Sequence, residues 1–472
     1  MARNNLLGLL FCCLLLTVIA VPTVHGHAGE RGFIMLLPTT EWIVTGTMLV
    51  IVTFVLLLFF PGKWLSGIAQ KHHYAWTLPF PGFSRTLRVA FFLLYLLFMS
   101  AGWFGSSDPL VNPIGPVMWS WFWIGLVFLH LAFGNLWQFI NPFDGADWAL
   151  TKMLPQRSQA EFTKWPEFLQ YWPAITLLLL LTWFENVSLS PYDPQTLCYA
   201  MLGYLILNVL AMRRYGRDQW LKYGEVFSVY FRMISWLAPV NWDFTRERIR
   251  VVLRWPYSGL LTVGTLSVSE TIFVLVALAC VTFDGASHTY WWLSLWHINP
   301  LEFGGRSTVY WQNTFGLLAA SGFLLLLYFL TTLVFTNLSM SGVRGFRALA
   351  VSLVPIAFGY HLAHYLPAFT LESQYALRAI SDPFALGWDL FGTANRAIIA
   401  SVRSDFAAIT TIWTIQMTAI ILSHVISVVV AHVILSRMYA GAYLPFYKQL
   451  PYAGLMIAYT FVGLWLLSTA SL

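Results

Sequence analysis

The chain is 472 residues long, 58% hydrophobic, 17% aromatic and only 10% charged, with a net charge of +6 and a mean hydropathy of +0.68. So little charge excludes an ordinary water-soluble surface. The positive excess falls in alternate loops rather than in one basic tract, which excludes a nucleic-acid-binding protein. The apolar runs are continuous stretches of about twenty residues, the length a bilayer demands of a helix, and lack the ten-residue alternation of a membrane barrel. The expected fold is therefore all-α, a polytopic transmembrane helix bundle of about ten spans.

In chain order, residues 1–26 read as a cleavable signal peptide. Arg3 gives its basic end, Leu6 to Val21 its apolar middle, and Val24-His25-Gly26 a small-residue cleavage site that leaves His27 as the new N-terminus. An uncleaved first anchor is the alternative. Residues 27–472 form a single transmembrane helical domain with expected spans at 41–60, 88–104, 117–140, 168–184, 196–212, 259–283, 309–337, 348–369, 406–435 and 451–469. The loops 61–88, 141–167, 213–258, 338–347 and 436–450 carry 4, 3, 9, 2 and 2 Lys and Arg, while the other side carries Arg31, Arg306, Arg378, Arg396 and Arg403. By the positive-inside rule the mature N-terminus and the C-terminus lie outside.

The longest basic loop holds Trp220, Tyr223, Phe227, Tyr230, Phe231, Ile234 and Leu237 at helical spacing, with Asp218, Lys222, Glu225 and Arg232 on another face. That pattern predicts a cytoplasmic amphipathic helix within 218–238, lying at the headgroups. Arg246, Arg248, Arg250 and Arg254 then read as anchors before the next span. Cys198 and Cys280 are the two cysteines beyond the leader. They are read as small buried residues, although an oxidising compartment permits a bridge.

Ionisable groups inside a bilayer are costly, so each is a functional hypothesis. His361 and His364 stand at i, i+3 on the eighth expected span, on one helix face. By depth they share an outer level with Asp284, His288, His297, Glu302, Asp382 and Asp389. Imidazole and carboxylate are the ligands of zinc or a similar divalent metal. An inner level gathers His130, Glu270 and His424, which suits a proton or ion relay. Structural hydrogen bonding between helices is the competing reading for every one of these residues, and haem ligation is a further one for the His pair. His27 at a free N-terminus could bind copper. The outer loops are rich in aromatics, among them Trp291 and Trp292. These suit either an interfacial belt or an entrance for an apolar ligand.

No P-loop, HExxH, GxSxG or strand-linked GxGxxG occurs. Several segments together, however, resemble the fenitrothion hydrolase-like family of bacterial polytopic membrane proteins. They include His27-Ala28-Gly29-Glu30-Arg31-Gly32-Phe33, Ser107-Asp108-Pro109-Leu110-Val111-Asn112, Gly134-Asn135-Leu136-Trp137, Asn299-Pro300-Leu301-Glu302-Phe303, Gly359-Tyr360-His361-Leu362-Ala363-His364-Tyr365 and Ser381-Asp382-Pro383-Phe384. The resemblance runs over most of the mature chain. It implies a bacterial inner-membrane hydrolase that cleaves the P–O ester of organophosphorus triesters such as fenitrothion, and it carries no assigned catalytic residues. From the residues themselves, His361 and His364 would bind the metal. Asp284, His288 and Glu270 would serve as catalytic groups, while Trp291, Trp292 and Tyr365 hold a lipophilic substrate. The alternative is an ion- or proton-coupled transporter working through Glu270 and His424.

Overall fold

The computed structural model describes residues 37–60, 67, 74–78, 81–153, 162–244, 248–335, 341–400, 405–438 and 446–469. The expected leader and His27 lie outside the described residues. Helix α1 (Thr39–Leu57), strand β1 (Tyr74–Leu78), α2 (Pro81–Phe104) and α3 (Ile114–Phe133) come first. They are followed by α4 (Pro142–Met153), α5 (Trp172–Asn186), α6 (Pro194–Tyr215), α7 (Arg217–Tyr223), α8 (Val226–Ser235), β2 (Val240–Phe244) and β3 (Ile249–Leu253). The chain continues through α9 (Val268–Ser287), α10 (Tyr290–Leu295), α11 (Tyr310–Phe335), α12 (Ser341–Leu349), α13 (Val354–Ala379), α14 (Phe406–Met438) and α15 (Phe446–Ser468).

The fold is the expected polytopic helix bundle: among the described residues nine helices are long and apolar enough to cross a membrane. The fourth expected span is the exception in length. Helix α5 has 15 residues, about 22 Å at 1.5 Å per residue, against a hydrocarbon core of about 30 Å. It nonetheless runs the height of α9. At its start the Tyr171 N–H donates to Ser269 Oγ (3.4 Å), and Ser269 Oγ donates to Gln170 (2.8 Å). At its far end Glu185 lies within electrostatic reach of Asp284.

Burial separates centre from periphery. In the unit formed by α12 and α13, 89% of the most apolar stretch is buried, against 17% for α2. Helix α13 packs on α14, on α9 and on α3. Close approach on α14 depends on two glycines. A Cβ on Gly359 would overlap Ser423 Oγ and Cβ, and one on Gly46 of α1 would come within 2.7 Å of Ile421 and 2.8 Å of Leu464. Helix α3 contains a nine-residue π-helical segment, Val117–Gly125, in which the Leu126 N–H reaches back to the Trp121 carbonyl. Such wide turns are rare and cluster at functional sites.

The basic loop differs from its expected form. The helix expected within 218–238 is broken at Gly224-Glu225 into α7 and α8, and α8 is buried on nearly every side. Burial on that scale places it inside the protein rather than at the headgroups. The break is held by Glu225, which has 0% exposure. Its carboxylate accepts the Phe227 and Ser228 N–H groups (3.0 and 2.6 Å), the Trp137 indole N–H (3.0 Å) and the Tyr204 hydroxyl (2.5 Å). This caps α8 and fills the lone pairs of a charge that has no water. Arg254 is likewise no lipid anchor. Its guanidinium donates to the Ala238 and Ser235 carbonyls (2.9 and 2.7 Å) at the C-terminal end of α8, where cations suit the helix dipole. Arg250 stands in β3, the centre of an antiparallel sheet ordered β1-β3-β2, in register with Asp243. Cys198 and Cys280 are both buried and free.

Glu225→Ala would leave four buried donors unpaired. We expect a loss of roughly 3 kcal/mol or more, read as a lower melting temperature or as monodisperse protein lost from detergent extracts. Tyr204→Phe, which removes one donor of four, should cost clearly less.

Candidate active site

Asp284 lies in the last turn of α9 and is 2% exposed. The α9 N-terminus is set by a capping box, with the Glu270 N–H on Ser267 Oγ (3.1 Å) and the Ser267 N–H on Glu270 Oε2 (3.4 Å). From there the helix carries an apolar run that delivers one carboxylate at its far end. His364 Nε2 of α13 is 2.9 Å from Asp284 Oδ2. The neighbouring Tyr365 hydroxyl donates to the same oxygen at 2.8 Å. His288, one residue past the helix, places Nδ1 2.8 Å from the Asp284 carbonyl and 3.6 Å from Oδ1. The Asp284 side chain is enclosed, while those of His364 and His288 are 28% and 46% exposed. A buried carboxylate is thus linked to the surface through two imidazoles. With Nε2–H on Asp284, the Nδ1 of His364 is left as a base.

Two further groups complete the surroundings. Glu185, at the end of α5, lies within electrostatic reach of Asp284 and Tyr365, and its Oε2 is buried without a hydrogen-bond partner. Arg306 donates to the Glu185 backbone carbonyl at 2.6 Å and so fixes the end of α5. On the inner side of Tyr365, the π segment of α3 presents Trp123, stacked on Tyr230 of α8 with ring centroids 5.4 Å apart and edge-on to His361 at 5.4 Å. The Tyr230 hydroxyl is 3.3 Å from His361 Nδ1, and His361 Nε2 and Trp123 Nε1 are buried without partners.

The expected outer level is therefore realised in part. Asp284, His288 and His364 converge, and Tyr365, expected against substrate, joins them by its hydrogen bond to Asp284. His361 belongs to the same cluster but is turned toward Tyr230 and Trp123, so the two imidazoles of the i, i+3 pair serve different partners. Among the described residues no group of three or more His, Cys, Asp or Glu is placed to hold a metal. Trp292 packs edge-on against Phe283 (5.2 Å) and donates its indole N–H to Asn313 at 2.8 Å. Trp291 is 47% exposed and meets Trp465 at 6.0 Å. Among the described residues no hydrogen bond or ring contact joins either Trp to Asp284, His288, His364 or Tyr365.

The expected inner level does not assemble. Glu270 is not mid-span, because α9 begins at Val268 rather than at 259; it caps the helix about 21 Å from Asp284. His130 is fully occupied, 2.6 Å from the Leu126 carbonyl and accepting the Trp137 N–H at 2.9 Å, with its ring stacked on Phe231. His424 sits beside Tyr360 and Tyr459, its Nδ1 2.8 Å from the Ile420 carbonyl and its Nε2 unpartnered. No hydrogen bond or ion pair joins Glu270, His130 and His424 among the described residues.

Sequence reasoning missed Glu185, Tyr230 and Trp123. Glu185 falls one residue past an expected span, where a carboxylate reads as loop. Tyr230 was assigned to the headgroup region. Trp123 lies in an aromatic run whose π-helical winding follows no 3.6-residue period.

Fold and site together define a multi-pass α-helical membrane protein with a buried carboxylate–imidazole–phenol centre at one end of the bundle. No family model, curated protein or solved structure matches the chain.

Glu270→Ala should remove the capping box at a cost of about 1 kcal/mol. Thermal unfolding of the purified protein checks this, with Glu270→Gln, which can still cap, expected to lose less.

Proposed function

We propose that this protein is a membrane-embedded hydrolase of neutral, lipophilic organophosphorus triesters, working by acid–base catalysis at Asp284 and His364. The observation that supports this reading is the 2.9 Å contact between His364 Nε2 and the enclosed Asp284 carboxylate. Asp284 fixes the imidazole tautomer and stabilises its protonated form, as the acid does in a hydrolytic triad. His364 Nδ1 takes a proton from water, and the hydroxide formed attacks phosphorus. The P–O bond to the aryl group breaks, and the imidazolium returns its proton to the departing aryloxide, giving a phenol and a phosphodiester. The Tyr365 hydroxyl holds Asp284 in place, and His288 offers a second imidazole on the exposed side. A neutral triester concentrates in lipid, so a site within the bundle meets it at high local concentration. The charge bias of the loops supports an orientation with this end of the bundle outside, and the family resemblance implies a bacterial inner membrane.

A divalent metal, zinc being the expectation from the His361 and His364 pair, would need a further ligand that the described residues do not bring to that pair. Elemental analysis of the purified protein reports on it directly.

The test is release of nitrophenol from an organophosphate triester by the detergent-purified chain. Asp284→Asn and His364→Asn should lower kcat by roughly 10²–10⁴-fold, the usual worth of a general acid–base group, while Glu270→Gln stays near the unaltered rate. Full turnover in folded Asp284→Asn and His364→Asn would sink the proposal. Ion- or proton-coupled transport is the second reading. It is favoured by Glu185, which adds a carboxylate with an unpartnered oxygen beside Asp284, rather than by the separated Glu270 and His424. Proton movement into proteoliposomes that is lost in Glu185→Gln, with no ester turnover, would select it.

A further inference from the structure

At the other end of the bundle lies a cavity of about 550 Å³ that takes no part in the acid–base site. Its charged lining is Arg88 of α2, Asp144 of α4, Arg217, Asp218 and Lys222 of α7, and Arg232 of α8. Asp144 is 4% exposed and serves two guanidinium groups, with Arg88 at 3.0 Å and Arg217 at 2.5 and 2.6 Å. One carboxylate neutralises one cation, so this triad, in which Asp144 is enclosed and the guanidinium groups are partly exposed, keeps a positive excess. Asp218 takes a third Arg217 nitrogen, but its side chain is 85% exposed and its charge is screened by solvent. Burial works against the Arg217 charge, and the hydrogen bonds it donates to Asp144 outweigh that, holding the guanidinium above its ordinary pKa.

Two more cations are held in place without a carboxylate partner among the described residues. The Lys222 ammonium lies 4.8 Å over the Tyr223 ring. Arg232 donates to the Lys222 carbonyl at 3.0 Å and lies 5.9 Å over the Tyr171 ring. A concave wall with four cations against two carboxylates focuses a positive field. The cavity also contains an acceptor: Asn135 lines it, and its Oδ1 is buried with no partner. An occupant that satisfies both features carries anionic oxygens and a hydroxyl donor. Leu221 and Trp236 add apolar surface to the lining.

We propose that this cavity binds a phosphoglycerol anion, a phosphate ester with free hydroxyls, supplied either as the headgroup of an anionic phospholipid or as a soluble glycerol phosphate. Basic pockets between membrane helices on the basic-loop side are suited to such headgroups. The proposal is independent of the hydrolytic reading, since no residue is shared.

The test is calorimetric titration of the full chain in neutral detergent with short-chain phosphatidylglycerol, short-chain phosphatidylcholine and glycerol 3-phosphate. Phosphatidylglycerol should bind at least tenfold tighter than phosphatidylcholine, and its affinity should fall with added salt. The double variant Lys222→Gln, Arg232→Gln should bind it about thirtyfold more weakly, whereas Lys222→Arg, Arg232→Lys keeps the preference. Glycerol 3-phosphate competing at comparable concentration identifies a soluble ligand, and competing only at large excess identifies the lipid. Equal binding of the two lipids by the unaltered protein would overturn the proposal whatever the variants do. So would undiminished binding in a folded Lys222→Gln, Arg232→Gln protein.

Discussion

A carboxylate taken out of water must be surrounded by donors or cations, and three such carboxylates tie this bundle together. Glu225 joins the loop after α3, through Trp137, to Tyr204 of α6 and to the first turn of α8. Asp144 joins α2 to α7 through Arg88 and Arg217. Asp284 joins α9 to α13 through His364 and Tyr365. Each links segments far apart in sequence, and each would be a severe liability if a partner were removed, because the stranded charge has no solvent to return to. Apolar packing supplies most of the contact area, but side chains that are equally greasy on all faces do not by themselves choose among helix arrangements in lipid. The polar nodes do discriminate, since an arrangement that parts a carboxylate from its donors leaves a buried charge unpaired.

The three nodes differ in what satisfies them, and that difference separates scaffold from chemistry. Glu225 is met by two backbone N–H groups, an indole and a phenol, none of which changes charge near neutral pH, and it has no exposure at all. Asp144 is met by two guanidinium groups, which stay charged. Asp284 alone is met by imidazoles, the side chains whose protonation changes most readily between pH 5 and 8, and those imidazoles reach the surface. Of the three, Asp284 is therefore the carboxylate whose partners belong to a side-chain type that takes up and gives up protons. This contrast, more than any sequence motif, is what singles out the α9–α13 contact as the candidate site.

Much of this was legible in the sequence, and the limits have physical causes. Continuous apolar runs dictate helices because lipid permits nothing else, so the spans and the all-helical class follow from composition and length. Depth along a helix is also readable, which is why the outer level already sets Asp284, His288 and His364 at one height, although it does not bring in Tyr365. Lateral neighbours are not encoded in depth. His361 shares a helix face with His364, yet a π-helical turn in α3 and the inward course of α8 bring Trp123 and Tyr230 to it instead. The aromatic stripe of 218–238 has the same period whether it faces lipid or protein. What distinguishes the two is Glu225, whose partners Trp137 and Tyr204 lie some 88 and 21 residues away in the chain. Glu270 misled because a capping box three residues into a helix looks, in an apolar run whose start is misplaced by nine residues, like a buried mid-span carboxylate.

The route of α8 also links the two ends of the molecule. One side of this short helix faces the basic cavity through Ser228, Arg232 and Ser235, while Tyr230, on the same ten residues, touches His361 and stacks on Trp123. Its N-terminus is capped by Glu225 and its C-terminal carbonyls are met by Arg254, so both ends have partners for their backbone groups. Trp123 lies in the π segment, a winding that gives up regular i, i+4 bonds and is retained only where surrounding contacts compensate. The stacking of Tyr230 on Trp123 is one of those contacts. The geometry of the interior around His361 is thus set from the basic-loop side of the bundle, by an element whose own position depends on a carboxylate buried beneath that loop.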